Sequence, residues 1–237
     1  MMNMSSVKKK ILLINPAPRD YDTPFIPKMM PLAILAVSSY IVDDYNVILL
    51  DRAVKIDDMR FNEILADPDL ICVGISCLTG SVIRDSIQCS QKVRESRKDV
   101  MVVWGGWHAT KVPESILKNN FVDYIVQGEG EVVFFELIRA IGNIKIQRSL
   151  PGVGYRDNDG RIIINPTNEL LAYDKLPQLP LSLLGSIEPY IIHNWIPGGT
   201  RCISWETSRG CPYCCTFCDI SYRFGRSYSY RNYSSKF

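Results

Sequence analysis

The sequence predicts a doubly wound α/β fold over residues 8–142, and two observations lead to it. Between residues 10 and 141, short apolar runs alternate with longer segments of helical pattern, which is typical of βαβ units and a parallel sheet. The apolar runs are nearly continuous, as expected for strands that helices cover on both faces. A composition of 46% hydrophobic and 22% charged residues suits an ordinary globular chain.

Five strands and five helices are expected in this region. The strands are predicted at Ile11–Asn15, Asn46–Asp51, Leu70–Ser76, Val100–Trp104 and Tyr124–Gln127. The helices are predicted at Leu32–Asp43, Asp58–Ala66, Ser81–Arg97, Pro113–Lys118 and Glu131–Ile141. Five such units make a flavodoxin-like (Rossmann-type), five-stranded parallel sheet, whose ligand crevice lies outside the carboxyl ends of the strands.

The loops at these carboxyl ends hold the candidate ligand-binding residues. Paired glycines let the backbone approach a bulky ligand, and hydroxyl residues at a helix start favour polar or anionic ligand groups. Taken singly, the glycines and the glutamate are equally typical of plain strand-to-helix turns. A dinucleotide site would require G-x-G-x-x-G after the first strand, and that motif is absent. The candidates are Pro16, Ser76, Thr79, Gly80, Gly105, Gly106, His108, Gly128, Glu129 and Gly130.

A connector is predicted over residues 143–200. Residues 152–165 alternate around an Asp-Gly turn and indicate a β-hairpin. Residues 165–180 are punctuated by prolines, which disfavour both helix and sheet.

A cysteine-rich stretch close to the end of the chain is the strongest functional signal. Of the eight cysteines, Cys211, Cys214, Cys215 and Cys218 fall within eight residues. The spacing of Cys211, Cys215 and Cys218 can aim three thiolates at one inorganic centre. A cubic iron–sulfur cluster normally takes four cysteines, so three would leave one iron free to bind a small molecule. An open position of this kind marks a catalytic metal site.

Three other interpretations of these cysteines stay open at this point. Cys211-Pro212-Tyr213-Cys214 looks like a glutaredoxin redox motif, but that motif opens a small domain and here only 19 residues follow Cys218. A zinc site could use all four cysteines, although zinc ribbons space their two pairs well apart. Thiols of a hydrophobic core are rarely packed so densely.

Cys-x-x-x-Cys-x-x-Cys, preceded by Thr207-Ser208-Arg209-Gly210 and with Phe217 before its last cysteine, resembles the cluster loop of radical S-adenosylmethionine (SAM) enzymes. The resemblance implies Cys211, Cys215 and Cys218 as ligands of a 4Fe-4S cluster, with Cys214 a bystander. It implies that the free iron chelates SAM and that the reduced cluster cleaves it to a 5′-deoxyadenosyl radical. It also implies that Ile203–Thr207 is the first strand of a (β/α) barrel, with the loop at its carboxyl end.

Together with the glycine-rich loops upstream, this motif resembles B12 (cobalamin)-binding radical SAM proteins, from Lys10 to about Tyr230. The resemblance implies cobalamin, SAM and 4Fe-4S as cofactors, and methyl transfer to an unactivated carbon as the activity. It implies a small-molecule substrate and a reductant as partners. No catalytic residue is assigned. Asp-x-His-x-x-Gly is absent, so we expect no protein histidine on cobalt. A domain that keeps the fold without the cofactor is an alternative.

Three sections follow from this resemblance: a cobalamin-type domain at 8–142, the connector at 143–200 and the start of the barrel at 201–237. A (β/α)₈ barrel needs roughly 200 residues or more, so we expect a chain truncated just after the cluster loop and inactive alone. The alternatives are a stand-alone corrinoid-binding module and half of a split enzyme whose barrel is separately encoded.

The remaining expectations come from charge and hydropathy. A net charge of +2 favours no polyanionic partner, so no nucleic acid is expected. No apolar run approaches a membrane span or a signal-peptide core. Cysteines without a secretory signal indicate a reducing compartment, so we expect a cytoplasmic protein.

Overall fold

The computed structural model describes residues 8–18, 28–167, 171–193, 201–220 and 228–230. Parts of the predicted connector and barrel section, residues 168–170, 194–200, 221–227 and 231–237, lie outside these ranges. The strands are β1 (Lys10–Asn15), β2 (Asn46–Asp51), β3 (Leu70–Ser76), β4 (Met101–Gly105), β5 (Tyr124–Val126), β6 (Val153–Arg156), β7 (Ile162–Ile164), β8 (Ile192–His193), β9 (Arg201–Cys202), β10 (Ser208–Gly210) and β11 (Tyr228–Tyr230). The helices are α1 (Leu32–Ile41), α2 (Asp58–Leu65), α3 (Ile83–Ser96), α4 (Trp107–Lys111), α5 (Pro113–Leu117), α6 (Glu131–Arg139) and α7 (Ile144–Ser149). Short 3-10 helices lie at Tyr173–Lys175, Leu181–Leu184 and Glu188–Tyr190.

The main sheet has seven strands in the order β2-β1-β3-β4-β5-β6-β7. Strands β1 to β5 pair in parallel, and their order is that of flavodoxin-like folds. The predicted doubly wound fold is therefore confirmed. The predicted hairpin forms as β6 and β7, but it pairs antiparallel with β5 and extends the same sheet. The predicted count of five strands omitted this extension.

Helices cover both faces of the sheet. Leu12 and Ile14 of β1 pack with residues of α2, α3 and α5 on one face. Ile11 and Leu13 pack with residues of α1 and α6 on the other. Side chains of a strand point alternately to its two faces, so a central strand covered on both sides has to be apolar throughout. This explains why the strands are uninterrupted apolar runs in the sequence.

Two short helices were not predicted. α4 begins directly after Gly106, whose positive φ of 87° makes the sharp turn out of β4. α7 lies in the predicted connector, and the side chain of Asn143 caps it by accepting from the Ile146 N–H at 3.2 Å. α7 therefore precedes the hairpin and packs beside β6.

The predicted first barrel strand, Ile203–Thr207, is wrong for this structure, because these residues form no strand. Within the described ranges no neighbouring strand pairs with them, and strand conformation depends on such pairing. Contacts with other segments are made instead: the Met30 N–H donates to Ser204 Oγ at 3.1 Å, and Tyr173 OH donates to the Glu206 carbonyl at 2.7 Å. The short strands β9 and β10 flank this segment and pair with β8 and β11.

A buried ion pair ties three loops together at the carboxyl edge of the sheet. The Arg52 guanidinium, only 5% exposed, donates to both carboxylate oxygens of Asp85, at 2.9 Å each. Asp85 Oδ2 also accepts the Ala17 N–H at 2.7 Å. The segments after β1 and β2 and the start of α3 are thus held in fixed positions around the crevice. None of the described helices is long and apolar enough to cross a membrane.

Candidate functional site

A cleft opens at the carboxyl edge of the sheet, between the sheet and the helices α1 and α6. It holds about 900 Å³ of empty volume, part of it open to solvent. Its wall is largely apolar, and it also includes the end of β3 and residues of the loops after β4 and β5. Cofactor and small-molecule sites are likewise concave and mostly apolar, and doubly wound folds place them at this edge. The apolar residues that line it include Leu13, Val37, Val103, Val126 and Phe134.

Glycines make room for the cleft. A side-chain carbon at Gly74 would lie 2.7 Å from Leu13 Cδ2 and 3.1 Å from Phe134, so this position has no space for one. At Gly105 the nearest atom to such a carbon is the Val126 carbonyl oxygen at 3.9 Å. A larger side chain at Gly105 would therefore extend into the cleft.

The structure brings five of the ten predicted loop residues to the cleft wall. The other five, which lie outside it, are Pro16, Thr79, Gly80, His108 and Glu129. Pro16 is buried at the start of the loop after β1, Thr79 and Gly80 are exposed, and Glu129 contacts Arg209. The five residues on the wall are Ser76, Gly105, Gly106, Gly128 and Gly130.

His108 is held by its own neighbours. Its Nδ1 lies 3.2 Å from Thr79 Oγ1, and its backbone N–H donates to the Cys77 carbonyl at 3.0 Å. Burial lowers the pKa of His108 below the usual histidine value, which favours an uncharged ring at neutral pH. His108 is therefore a hydrogen-bonded loop histidine that links the loops after β3 and β4.

Arg209, two residues before the first loop cysteine, lies among three carboxylates, a cluster that the sequence did not reveal. Its Nη1 contacts Glu129 Oε1 at 2.9 Å and Glu131 Oε1 at 2.6 Å. Its Nη2 lies 3.0 Å from Glu206 Oε2, and the guanidinium carbon is 4.8 Å from the centre of the Tyr173 ring. Glu129 was expected at the cleft, but it binds Arg209 instead.

This cluster is buried beside the cleft. The Arg209 side chain is 10% exposed, and those of Glu129 and Glu131 are 6% exposed each. Burial alone would lower the pKa of Arg209, but Glu131 and Glu206 outweigh it and hold the pKa above its ordinary value. Arg209, Glu131 and Glu206 also line the cleft. In the sequence, only the two glutamates after β5, Glu129 and Glu131, indicated a part of this cluster. Arg209 gave no such indication, because it lies far along the chain and meets the glutamates only in the folded protein.

The cysteine loop itself lies at the surface. Cys214 and Cys215 are exposed, Cys211 and Cys218 are half-buried, and the Cys218 N–H donates to the Cys215 carbonyl at 3.1 Å. Among the described residues, no three His, Cys, Asp or Glu side chains converge in a metal-binding arrangement. Metal sites are rarely formed before the metal binds. The ligand set of Cys211, Cys215 and Cys218 stays a prediction.

The far end of the loop is anchored as well. Asp219 Oδ1 accepts from Lys111 Nζ at 2.6 Å, and this contact holds the pKa of Asp219 below its usual range. Lys111 Nζ lies 5.4 Å from the centre of the Trp107 ring. Lys111 and Trp107 both belong to α4, which follows the glycine pair on the cleft wall.

The three cysteines outside the C-terminal segment belong to the core. Burial raises the pKa of Cys77 to about 11 and that of Cys89 to about 12, and it raises the pKa of Cys72 well above the usual value. Thiols with such pKa values hold almost no thiolate at neutral pH, and the thiolate is the form that binds metals. They are structural residues.

Curated relatives share much of this chain. An uncharacterized methyltransferase of Pyrococcus horikoshii is 30% identical over 83% of the chain, and a cobalamin-dependent radical SAM methyltransferase of Streptomyces tokunonensis, TokK, is 30% identical over 65% of it. These alignments cover 42% and 22% of the relatives, so the chain spans less than half of their length.

Solved structures have the same fold. The cobalamin-dependent SAM radical enzyme OxsB, solved with aqua-cobalamin and SAM, superposes with a TM-score of 0.72 at 22% identity, over 95% of this chain and 30% of its own. The radical SAM methyltransferase TsrM from Kitasatospora setae, solved with tryptophan substrate and a SAM analogue, gives 0.69 at 20% identity, over 96% and 44%.

The family comparison assigns most of the residues around the cleft to one domain family. Residues 25–138 match the B12 binding domain family. This range contains the strands β2 to β5 and the helices α1 to α5 together with most of α6, including the loops that form the cleft wall. The homologues include cobalamin-dependent radical SAM methyltransferases. This chain therefore contains a B12-binding domain, over residues 25–138.

Proposed function

We propose that the chain binds cobalamin in the cleft at the carboxyl edge of its sheet and serves a radical SAM methyltransferase. The observation that carries this proposal is the glycine-lined, apolar cleft whose wall is formed mostly by the B12-binding domain. Cobalamin is a large molecule with apolar surfaces and many amide groups. An apolar wall beside exposed backbone suits such a molecule, because the wall accepts the apolar part and backbone groups can bond the amides.

The residues proposed to hold the cofactor are those on the cleft wall. Ser76 offers a hydroxyl that can donate to and accept from amide groups. Gly105, Gly106, Gly128 and Gly130 let the ligand approach the backbone closely. His108 lies outside the cleft wall, and we expect no protein histidine on the cobalt. Bound cobalamin would supply a transferable methyl group.

The cysteine loop is proposed to hold a 4Fe-4S cluster through Cys211, Cys215 and Cys218. A bound cluster would supply the electron that cleaves SAM. The loop lies beside the cleft, because Arg209, which precedes it, lines the cleft wall. This proximity supports a shared site for both cofactors. Methylation of an unactivated carbon of a small molecule, with an external reductant, is the activity that we propose for this site.

Cobalamin binding is tested with hydroxocobalamin and a cleft-filling variant. After incubation and gel filtration, the wild-type protein should carry the visible corrin absorption. Gly105→Val should lose it, because the added side chain occupies the cleft, whereas Gly105→Ala should keep most of it, since its nearest neighbour would lie 3.9 Å away. Circular dichroism checks that both variants fold. Wild-type protein that elutes without corrin would contradict the proposal.

The cluster ligands are tested by alkylation of thiols after anaerobic reconstitution with iron and sulfide. All four cysteines of the loop should react in the untreated protein, because the loop lies at the surface. In the reconstituted protein Cys214 should still react, while Cys211, Cys215 and Cys218 should be protected. Protection of Cys214 as well would mean that four cysteines bind the iron–sulfur centre, which would contradict the three-cysteine ligand set. Protection of none of them would mean that the loop binds no cluster.

A further inference from the structure

The cysteine loop is fastened to the B12-binding domain at both of its ends. At one end Arg209 bonds Glu129 and Glu131, and at the other end Asp219 bonds Lys111. We call these two contacts the loop clamp. Nine residues separate the anchors, and the four cysteines of the loop all lie between them. The position of those cysteines relative to the domain therefore depends on the clamp.

The Arg209 end is a rigid, buried contact. Arg209 presents a planar fork of donors, and it is held by carboxylates on the domain side and by Glu206 on its own segment. Two of the three carboxylates have a further donor that fixes their direction: the Leu171 N–H donates to Glu129 at 2.6 Å, and Tyr173 OH lies 3.1 Å from Glu206 Oε2. A contact fixed from both sides determines the start of the loop.

The Asp219 end is a surface contact of a different kind. Lys111 and Asp219 are 21% and 61% exposed, so their ion pair is partly open to water and weaker than the buried one. Lys111 belongs to α4, which starts directly after Gly105 and Gly106 on the cleft wall. The second anchor thus stands on the helix that directly follows the cleft glycines.

The Arg209 anchor borders the cleft. Glu131 and Arg209 line it directly, and Glu129 lies between the cleft residues Gly128 and Gly130. Glu206 and Arg209 of the loop's own segment therefore stand on one wall with Gly130 and Glu131 of the domain. A molecule that fills the cleft would touch both parts at once, so it would bind best while the segment is docked.

We propose that the loop clamp couples occupancy of the cleft to the position of the cysteine loop, with Arg209 as the positioning residue. This inference rests on the proposed binding of cobalamin. The ligand would stabilise the docked loop by touching Arg209 and the domain at once, and by thermodynamic reciprocity the docked loop would raise the affinity for the ligand by the same factor. The B12-binding domain would thereby place the cysteines before any cluster is assembled on them.

Hydrogen exchange of the backbone amides tests this coupling on the protein without iron. Hydroxocobalamin should slow exchange in the cleft loops around residues 105–111, and it should also slow exchange of residues 207–219 about 10-fold, a typical coupling factor. In Arg209→Met the slowing of residues 207–219 should be lost while that of the cleft loops persists, and the dissociation constant for hydroxocobalamin should rise about 10-fold. Arg209→Lys should restore only part of both effects, because lysine lacks the fork.

Two further variants keep the test valid if Arg209→Met disturbs folding. Lys111→Met removes the surface anchor and should reduce the slowing of residues 212–219. The matched control is Arg201→Met, which breaks the exposed pair with Glu188 in the same segment and lies outside the clamp. It should behave like the wild type in both measurements.

The outcomes separate the coupling from the cofactor proposal. Equal slowing of residues 207–219 in the wild type, Arg209→Met and Lys111→Met would overturn the coupling and leave cobalamin binding intact. A wild-type protein that binds no hydroxocobalamin would overturn both. Loss of slowing in Arg201→Met as well would show that any change in this segment has the effect, and this too would overturn the role of the clamp.

Discussion

Asp51, the last residue of β2, is where the connector contacts the sheet. Its carboxylate accepts from Tyr190 OH at 2.7 Å, from Asn15 Nδ2 at 2.8 Å and from the Ala53 N–H at 3.0 Å. Burial raises the pKa of Asp51 despite these hydrogen bonds. Burial and the neighbouring Asp51 also raise the pKa of Tyr190 above the usual tyrosine value. One hydrogen bond between side chains 139 residues apart thus attaches the connector to the first domain.

Tyr190→Phe should lower the free energy of unfolding by about 1.5–3 kcal/mol at neutral pH, because it removes a hydrogen bond to a charged group. The folded protein keeps the phenol proton that the unfolded chain releases above about pH 10. Wild-type stability should therefore fall as pH rises beyond that value, and the variant should lack this part of the fall. Urea unfolding at several pH values measures both effects. Tyr228→Phe, at an exposed position, is the control; an equal loss there would contradict the assignment.

Sequence reasoning at the residue scale found the cleft backbone and missed the ionic contacts. Gly105, Gly106, Gly128 and Gly130 were predicted because strand-to-loop boundaries can be located from apolar patterns. The partner of Glu129 could not be predicted, because Arg209 lies 80 residues further along the chain and reaches it only through the fold. Contacts of this kind leave no local pattern.

At the scale of elements, long and buried segments were predicted best. The bounds of β2 and β3 were predicted to the residue, and β1, β4 and β5 to within one residue at each end. A strand covered on both faces has little freedom in its composition. The helices α4 and α7 were missed because five or six residues are too few to show a helical period, whereas the equally short α5 begins with a proline, which is a helix-start signal. The strand predicted at Ile203–Thr207 was wrong, because a strand also requires a partner strand to pair with.

Arg52→Met should destabilise the protein by about 3–5 kcal/mol, because it leaves the carboxylate of Asp85 buried without its cation. The loops after β1 and β2 and the start of α3 lose their common contact. The control Lys55→Met breaks an exposed pair with Asp57 and should cost about 0–1 kcal/mol. Chemical denaturation compares the two. If both variants cost the same, Arg52 does not stabilise this edge of the sheet.

At the scale of the whole molecule, the described part of the C-terminal segment is attached to the B12-binding domain through several separate contacts. Tyr190 bonds Asp51, Ser204 bonds the loop before α1, Arg209 bonds the loop after β5 and Asp219 bonds α4. All four contacts lie at the carboxyl edge of the sheet. The cysteine loop and the cleft therefore share one edge, which neither motif alone could have indicated.

This shared edge predicts that hydroxocobalamin stabilises both parts of the chain together. A ligand that binds only the folded state at 100 times its dissociation constant adds about 2.7 kcal/mol to the free energy of unfolding. The stabilisation should appear equally in a probe of the sheet, such as hydrogen exchange of the buried backbone amides of β1 and β3, and in the protease resistance of residues 201–220, because the clamp makes docking of that segment depend on the cleft. Gly105→Val should show neither effect. Stabilisation of the sheet without increased resistance of residues 201–220 would mean that the two parts respond to the ligand independently.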